Sequence, residues 1–151
     1  MGNRLHYTMC GLDHVYLIDG FRHEETPRGR RLHIENQEEL HKAIGAYLLR
    51  QSRGLTGREL RFLREEINLS QVNLARLLGE SDQSVARREK RDAPFKRPPT
   101  QERILRFLYD EKVLQRDEKL SDFLQELANA DNVSEENVVF EPEEGGWRQA
   151  A

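Results

Sequence analysis

An α+β fold, mainly helical, is predicted by three features of the 151-residue sequence. Residues 5–35 alternate apolar and polar side chains between turn-forming pairs, the pattern of short antiparallel strands. Residues 36–112 instead repeat apolar residues three and four apart behind Ser, Thr or Asn, the pattern of capped amphipathic helices. Near the C-terminus, Asn137-Val-Val-Phe140 and Trp147 flank Glu143-Glu144-Gly145-Gly146, which reads as strand, turn and short return strand.

In chain order, Val15, Leu17 and Phe21 lie on one face of an extended segment, with Tyr16 and Ile18 on the other. Asp19-Gly20 and Pro27-Arg28-Gly29 are turn signals, and Arg31–Glu35 alternates as a third strand, so a small antiparallel sheet is expected. Asn36 is placed to cap a helix running to about Gln51. Its Leu40, Ile44 and Leu48 share one face, as either core or dimer seam. Arg50, Arg53 and Gly54 supply a basic end and a stop. Thr56-Gly-Arg-Glu59 matches a capping box, with Leu60, Leu63 and Ile67 facing inward. Ser70 caps a short helix that buries Leu74, Ala75, Leu77 and Leu78. Gly79-Glu80-Ser81 turns the chain, and Ser81 caps a helix from Asp82 to about Lys90 anchored by Val85. After the loop marked by Pro94, Pro98 and Pro99, Thr100 caps a helix over about Gln101–Lys112, with Ile104, Phe107 and Leu108 as its apolar stripe. A last helix is expected over Glu118–Ala130.

Composition narrows the function class. Hydrophobic residues make up 36% and charged residues 34% of the chain, with mean hydropathy −0.84, so cores are small. No apolar run approaches the roughly 20 residues of a membrane helix, and the N-terminus lacks the layout of a signal peptide. A single cysteine, Cys10, excludes an internal disulfide and points to a reducing, cytoplasmic setting. The net charge of −3 conceals an asymmetry. Residues 53–106 carry 13 Lys and Arg against 8 Asp and Glu, whereas residues 107–151 carry 4 against 12. Local fields decide what a surface attracts, because screening sets in over about 8 Å at physiological salt. No P-loop, dinucleotide fingerprint, paired-carboxylate signature or nucleophile triad is present, so the chain does not read as an enzyme.

The stretch Leu69-Ser-Gln-Val-Asn-Leu-Ala-Arg-Leu-Leu-Gly-Glu-Ser-Asp-Gln-Ser-Val-Ala-Arg-Arg-Glu89 resembles the phage-repressor (Cro-like, XRE) helix-turn-helix family of transcriptional regulators. Ser70-Gln71 opens the first helix of the pair, Ala75 lets the helices cross closely, and Leu78-Gly79 makes the turn. Arg64 and Glu89 stand at the spacing of an arginine–glutamate pair of that family, while Arg88 replaces a frequent aromatic. The resemblance implies a recognition helix, 82–90, that enters the major groove of double-stranded DNA. Asp82, Gln83, Ala86 and Arg87 would face bases, with Gln71 and Ser84 near phosphate or base. Gln83 suits adenine and Arg87 guanine as bidentate partners. Arg88, Lys90, Arg91, Lys96 and Arg97 are candidate phosphate contacts, the alternative being solvated surface charge.

The layout, a β-rich N-terminal segment before the helix-turn-helix, is similar to MqsA-type antitoxin/regulators. Those commonly carry a Cys-x-x-Cys zinc site. Here Tyr7 and Cys10 occupy the first such pair, so no metal and no cofactor is expected, although His6, Cys10, His14 and His23 lie near one another in sequence. The expected organisation is residues 1–54 as an N-terminal dimer or partner segment, 55–112 as the DNA-binding domain and 113–151 as an acidic extension. The expected function is an autorepressor that binds a palindromic operator as a homodimer. The alternative is an antitoxin that neutralises a partner toxin through the N-terminal segment or tail.

Overall fold

The computed structural model describes residues 3–115 and 137–150, together with positions 119, 122 and 125. It is an α+β chain of two compact units, residues 1–43 with 136–151, and residues 44–135. These limits differ from a division at 54/55 and 112/113, because the C-terminal strands join the N-terminal ones. The helix expected over Glu118–Ala130 lies outside the described residues apart from isolated positions.

In the first unit, strands β1 (Arg4–His6) and β2 (Val15–Ile18) pair antiparallel, and β3 (Phe21–Thr26) pairs antiparallel with β4 (Gly29–Ile34). The two hairpin-like pairs do not merge into the single small sheet expected. Asp19 and Gly20, both at positive φ, turn a corner between sheets instead. Strand β5 (Val138–Glu143) lies parallel to β2, setting Val15 against Val138 and Leu17 against Phe140. Strand β6 (Gly146–Gln149) returns antiparallel on β5, giving the order β1-β2-β5-β6. Val15, Leu17, Val138 and Phe140 are buried by this alternation. Trp147 is also buried, and its indole Nε1 donates to the Glu35 carbonyl at 2.9 Å. Tyr7 is buried with its hydroxyl 2.9 Å from His41 Nε2 and accepting from Gln37 Nε2 at 3.1 Å.

Helix α1 (Gln37–Leu49) begins after Asn36, which sits at φ 49 rather than in the extended conformation of an ordinary N-cap. It stops two residues before Gln51. Leu40, Ile44 and Leu48 are fully buried within the chain, which makes the stripe core and removes it as a dimer seam.

The second unit holds α2 (Gly57–Glu66), α3 (Gln71–Leu78), α4 (Asp82–Glu89) and α5 (Thr100–Tyr109), the last continued by a π-helical segment, Asp110–Leu114. The Thr56 capping box forms as expected, with Thr56 Oγ1 accepting from the Glu59 amide and Glu59 Oε1 from the Thr56 amide. Leu60, Leu63 and Ile67 are buried, as is Phe62 beside them. On α3, Leu74 and Ala75 are buried but Leu77 is 57% exposed. The helix is only two turns long, so its core face holds fewer residues than the leucine run suggests. On α5 the inward face is rotated from the expected stripe. Leu105, Tyr109, Glu102 and Arg106 are buried, while Ile104 is 41% exposed and Phe107 and Leu108 are half-buried. Pro99, not Thr100, is the N-cap, and it offers no side-chain bond. Among the described residues, no helix is long and apolar enough to cross a membrane.

Candidate nucleic-acid interface

Helices α3 and α4 are joined by the tight turn their sequence dictates. Gly79 lies at φ 70, ψ 31, the left-handed conformation glycine adopts without steric cost, and its amide points back to the Ala75 and Arg76 carbonyls. Ser70 and Ser81 cap the two helices, accepting from the Asn73 and Ser84 amides. Val85 seats α4 on the core, and α4 packs on both α3 and α2.

Behind α4, one carboxylate fixes three segments. Glu89 accepts from Arg64 Nε at 2.6 Å, from Arg64 Nη2 at 3.0 Å and from Gln71 Nε2 at 3.1 Å. Arg64 Nη1 also donates to the Leu69 carbonyl at 2.8 Å. The arginine–glutamate pair expected from the spacing is therefore present. Gln71, expected near DNA, is instead committed to Glu89. Likewise Ser84 Oγ donates to Glu80 Oε2 at 2.7 Å, and Arg88 Nη1 sits 3.1 Å from Glu80 Oε1. These contacts make Gln71, Ser84 and Arg88 part of the frame that orients α4.

The remaining candidates share one exposed side. At about 100° per residue, Asp82, Ala86, Lys90, Gln83 and Arg87 fall within about 140° of arc. Asp82, Gln83, Arg87 and Lys90 are exposed and Ala86 is half-buried. Asp82 stands in the first turn, where the helix dipole favours an anion, and Arg87 in the last turn, where it favours a cation. The small Ala86 between them leaves the centre of the face low.

Past α4, the loop cations Lys96 and Arg97 are exposed. Arg91 is held differently. Its guanidinium lies 3.9 Å over the Phe95 ring, and its Nε donates to the Ala93 carbonyl at 2.8 Å. The loop is tied down by backbone bonds from Gly54 to the Phe95 carbonyl and from Gly57 to the Arg91 carbonyl, each 2.7 Å. Sequence reasoning missed Phe95 as the platform for Arg91, although an aromatic four residues from an arginine in a basic loop is the available signal. It also passed over the exposed Arg58 and Arg76.

Gly57 has a second role. A Cβ there would collide with the backbone carbonyl of Glu89 and crowd that of Arg88. The first residue of α2 touches the end of α4, and only a bare backbone fits. Gly57→Ala is expected to cost about 1–3 kcal/mol through overpacking, read as a lowered urea midpoint. Wild-type stability in that variant would disprove the tight contact.

A buried charge cluster stiffens the approach to α2. Arg53 grips Glu59 bidentately, at 2.7 and 3.0 Å. Burial opposes the Arg53 charge, but the bond and charge of Glu59 outweigh it and raise the pKa. Burial raises the pKa of Glu102, while the Leu55 amide (2.9 Å from Oε2) and Arg106 oppose it. Burial brings the Arg106 guanidinium down to about 10 against the pull of Glu102, leaving it charged at neutral pH.

The four residues weighed as zinc ligands do not assemble. His6 Nε2 lies 2.7 Å from the Asp13 carbonyl, and Cys10 Sγ donates to the Tyr7 carbonyl. Among the described residues no group of three or more His, Cys, Asp or Glu is placed to hold a metal.

Compared with known proteins, the chain matches no family model, no curated protein and no solved structure at a significant level.

Proposed function

We propose that the chain is a sequence-specific regulator that binds double-stranded DNA through α4. One observation carries this reading: α4 is capped, anchored and braced from behind, and it keeps Asp82, Gln83 and Arg87 exposed on one face. A helix held this firmly can enter the major groove without a cost for ordering its backbone, leaving only the exposed side chains to be fixed on binding. Gln83 offers a donor and an acceptor for adenine, and Arg87 a two-pronged donor for guanine. Lys90, Arg91, Lys96 and Arg97 supply the sequence-independent attraction to phosphates. Two copies on a palindrome would set their α4 helices about 34 Å apart, one turn of DNA. Action in the cytoplasm as a repressor of its own operon belongs to the same proposal.

The test begins with selection of duplexes from a randomised pool by the full chain. Gln83→Ala and Arg87→Ala should each relax preference at one base position and cost about 1–3 kcal/mol of binding. Unchanged affinity and base preference in both variants would overturn the assignment.

A further inference from the structure

The β3–β4 hairpin is unlike the other strands of its unit. Among the described residues, β3 and β4 pair only with each other, so both outer edges stay open. An isolated two-stranded ribbon is marginal in water and its edges invite unwanted pairing. Scattered charge would be enough to protect such edges. Here the charge is arranged differently. Glu24 holds Arg22 at 2.9 Å, and Glu25 reaches Arg30 only at 3.8 Å. No ion pair joins Arg28 or Arg31 to a carboxylate among the described residues, although Arg31 stands opposite Glu24 across the ribbon, and Arg28, Arg30 and Arg31 are all exposed. Three guanidiniums thus crowd four residues at the turn and the start of the return strand. Open grooves of about 430 and 540 Å³ flank this tip; Arg30 and Arg31 line both, Arg28 the first, and His33 and Glu24 the second.

We propose that the hairpin is a second DNA-contacting element, with Arg28, Arg30 and Arg31 gripping phosphates of the duplex. The proposal rests on the DNA-binding reading of α4. The guanidinium fork matches phosphate bidentately, and its charge cannot be lost near neutral pH. Six-residue strands reach about 20 Å at roughly 3.3 Å per residue, and a two-stranded ribbon fits a major groove about 12 Å wide. Phosphate contacts carry no sequence information, so this element would add affinity and salt dependence without changing the preferred site.

The experiment uses the full chain and a mixed-sequence duplex about three turns long, roughly 34 Å per turn, titrated over a range of salt. R28A/R30A/R31A should weaken binding about tenfold or more and flatten the plot of log affinity against log salt by about 2–3, at roughly 0.9 per phosphate. The three Arg→Lys replacements should keep the slope, and melting curves matching wild type establish that both variants fold. Wild-type affinity and slope in the alanine variant would overturn the hairpin proposal while leaving α4 untouched. Conversely, if no duplex binds the wild-type chain, the α4 reading fails and this one with it. An unchanged DNA slope, combined with loss of binding to inorganic phosphate or to polyglutamate, would assign the tip to a small anion or an acidic protein and overturn the proposal.

Discussion

Glu89→Ala is expected to destabilise the helical unit by about 3–5 kcal/mol, the cost of leaving a buried charge without its partner. The carboxylate receives two bonds from Arg64 and one from Gln71, and both Arg64 and Glu89 side chains are at least nine-tenths buried. Without it, Arg64 keeps the Leu69 carbonyl and a half-exposed Glu65 at 3.7 Å, too far and too wet to compensate. The penalty is the desolvated guanidinium, not the worth of the pair, and a double variant separates the two. Arg64→Met with Glu89→Leu removes both charges at similar volume and should recover much of the loss. Urea unfolding of the single and double variants gives both numbers. A Glu89→Ala cost below about 1 kcal/mol, the level of an exposed pair, would show that the pair is not shielded from water. The DNA binding proposed for α4 should fall in the single variant as well, because Glu89 ties the end of α4 to α2 and to the start of α3.

How far the sequence reveals this arrangement depends on the range of the signal. The caps at Thr56, Ser70 and Ser81, the left-handed Gly79 and the Val85 anchor are local, and each is readable within four residues. The Arg64–Glu89 pair spans 25 residues and was accessible only through resemblance to a known spacing. The pairing of β2 with β5 was not accessible, because 119 residues separate the strands and neither encodes its partner. Among the site residues, Gln83 and Arg87 are exposed. Gln71, Ser84 and Arg88 have the right chemistry for DNA, but neighbouring carboxylates on Glu89 and Glu80 capture them. A capture of this kind depends on rotamers that composition does not record. The charge asymmetry survives in a sharper form. The positive stretch contains several arginines spent on internal carboxylates, so its outward field comes from fewer residues: Arg58, Arg76, Arg87, Lys90, Lys96 and Arg97, with Arg91 held over Phe95.

The rotated face of α5 has the same origin and yields the second large effect. Periodicity counts apolar residues as inside, yet Arg106 is fully buried and Ile104 is not. Arg106 is inside because carbonyls from the end of α1 and from the linker after it converge there. Its Nη1 donates to Leu49 O at 3.3 Å and Gln51 O at 2.5 Å, and its Nη2 to Arg53 O at 2.6 Å. The last turn of α1 has no basic residue of its own, so an arginine from α5 supplies the cation and the donors at its C-terminus. Of the two arginines the sequence offered for that place, Arg50 and Arg53, the second goes to Glu59 instead. Arg106→Met keeps most of the stem volume but strands these carbonyls and removes the cation that most favours the charged form of Glu102. The expected cost is about 3–5 kcal/mol, since bonds to a charged group are worth about 1.5–3 kcal/mol each. It should also depend on pH in a defined direction. Glu102 already has a raised folded-state pKa, and loss of Arg106 raises it further. A carboxyl with a raised folded pKa destabilises the fold above that pKa, and the penalty is relieved as pH falls toward the ordinary value of 4.5. The gap between Arg106→Met and wild type should therefore be widest at neutral pH and narrow on mild acidification. Urea unfolding at several pH values tests this. Arg106→Met with Glu102→Gln should abolish the narrowing, and a gap that widens toward acid would refute the assignment of Glu102 as the group whose charge Arg106 favours.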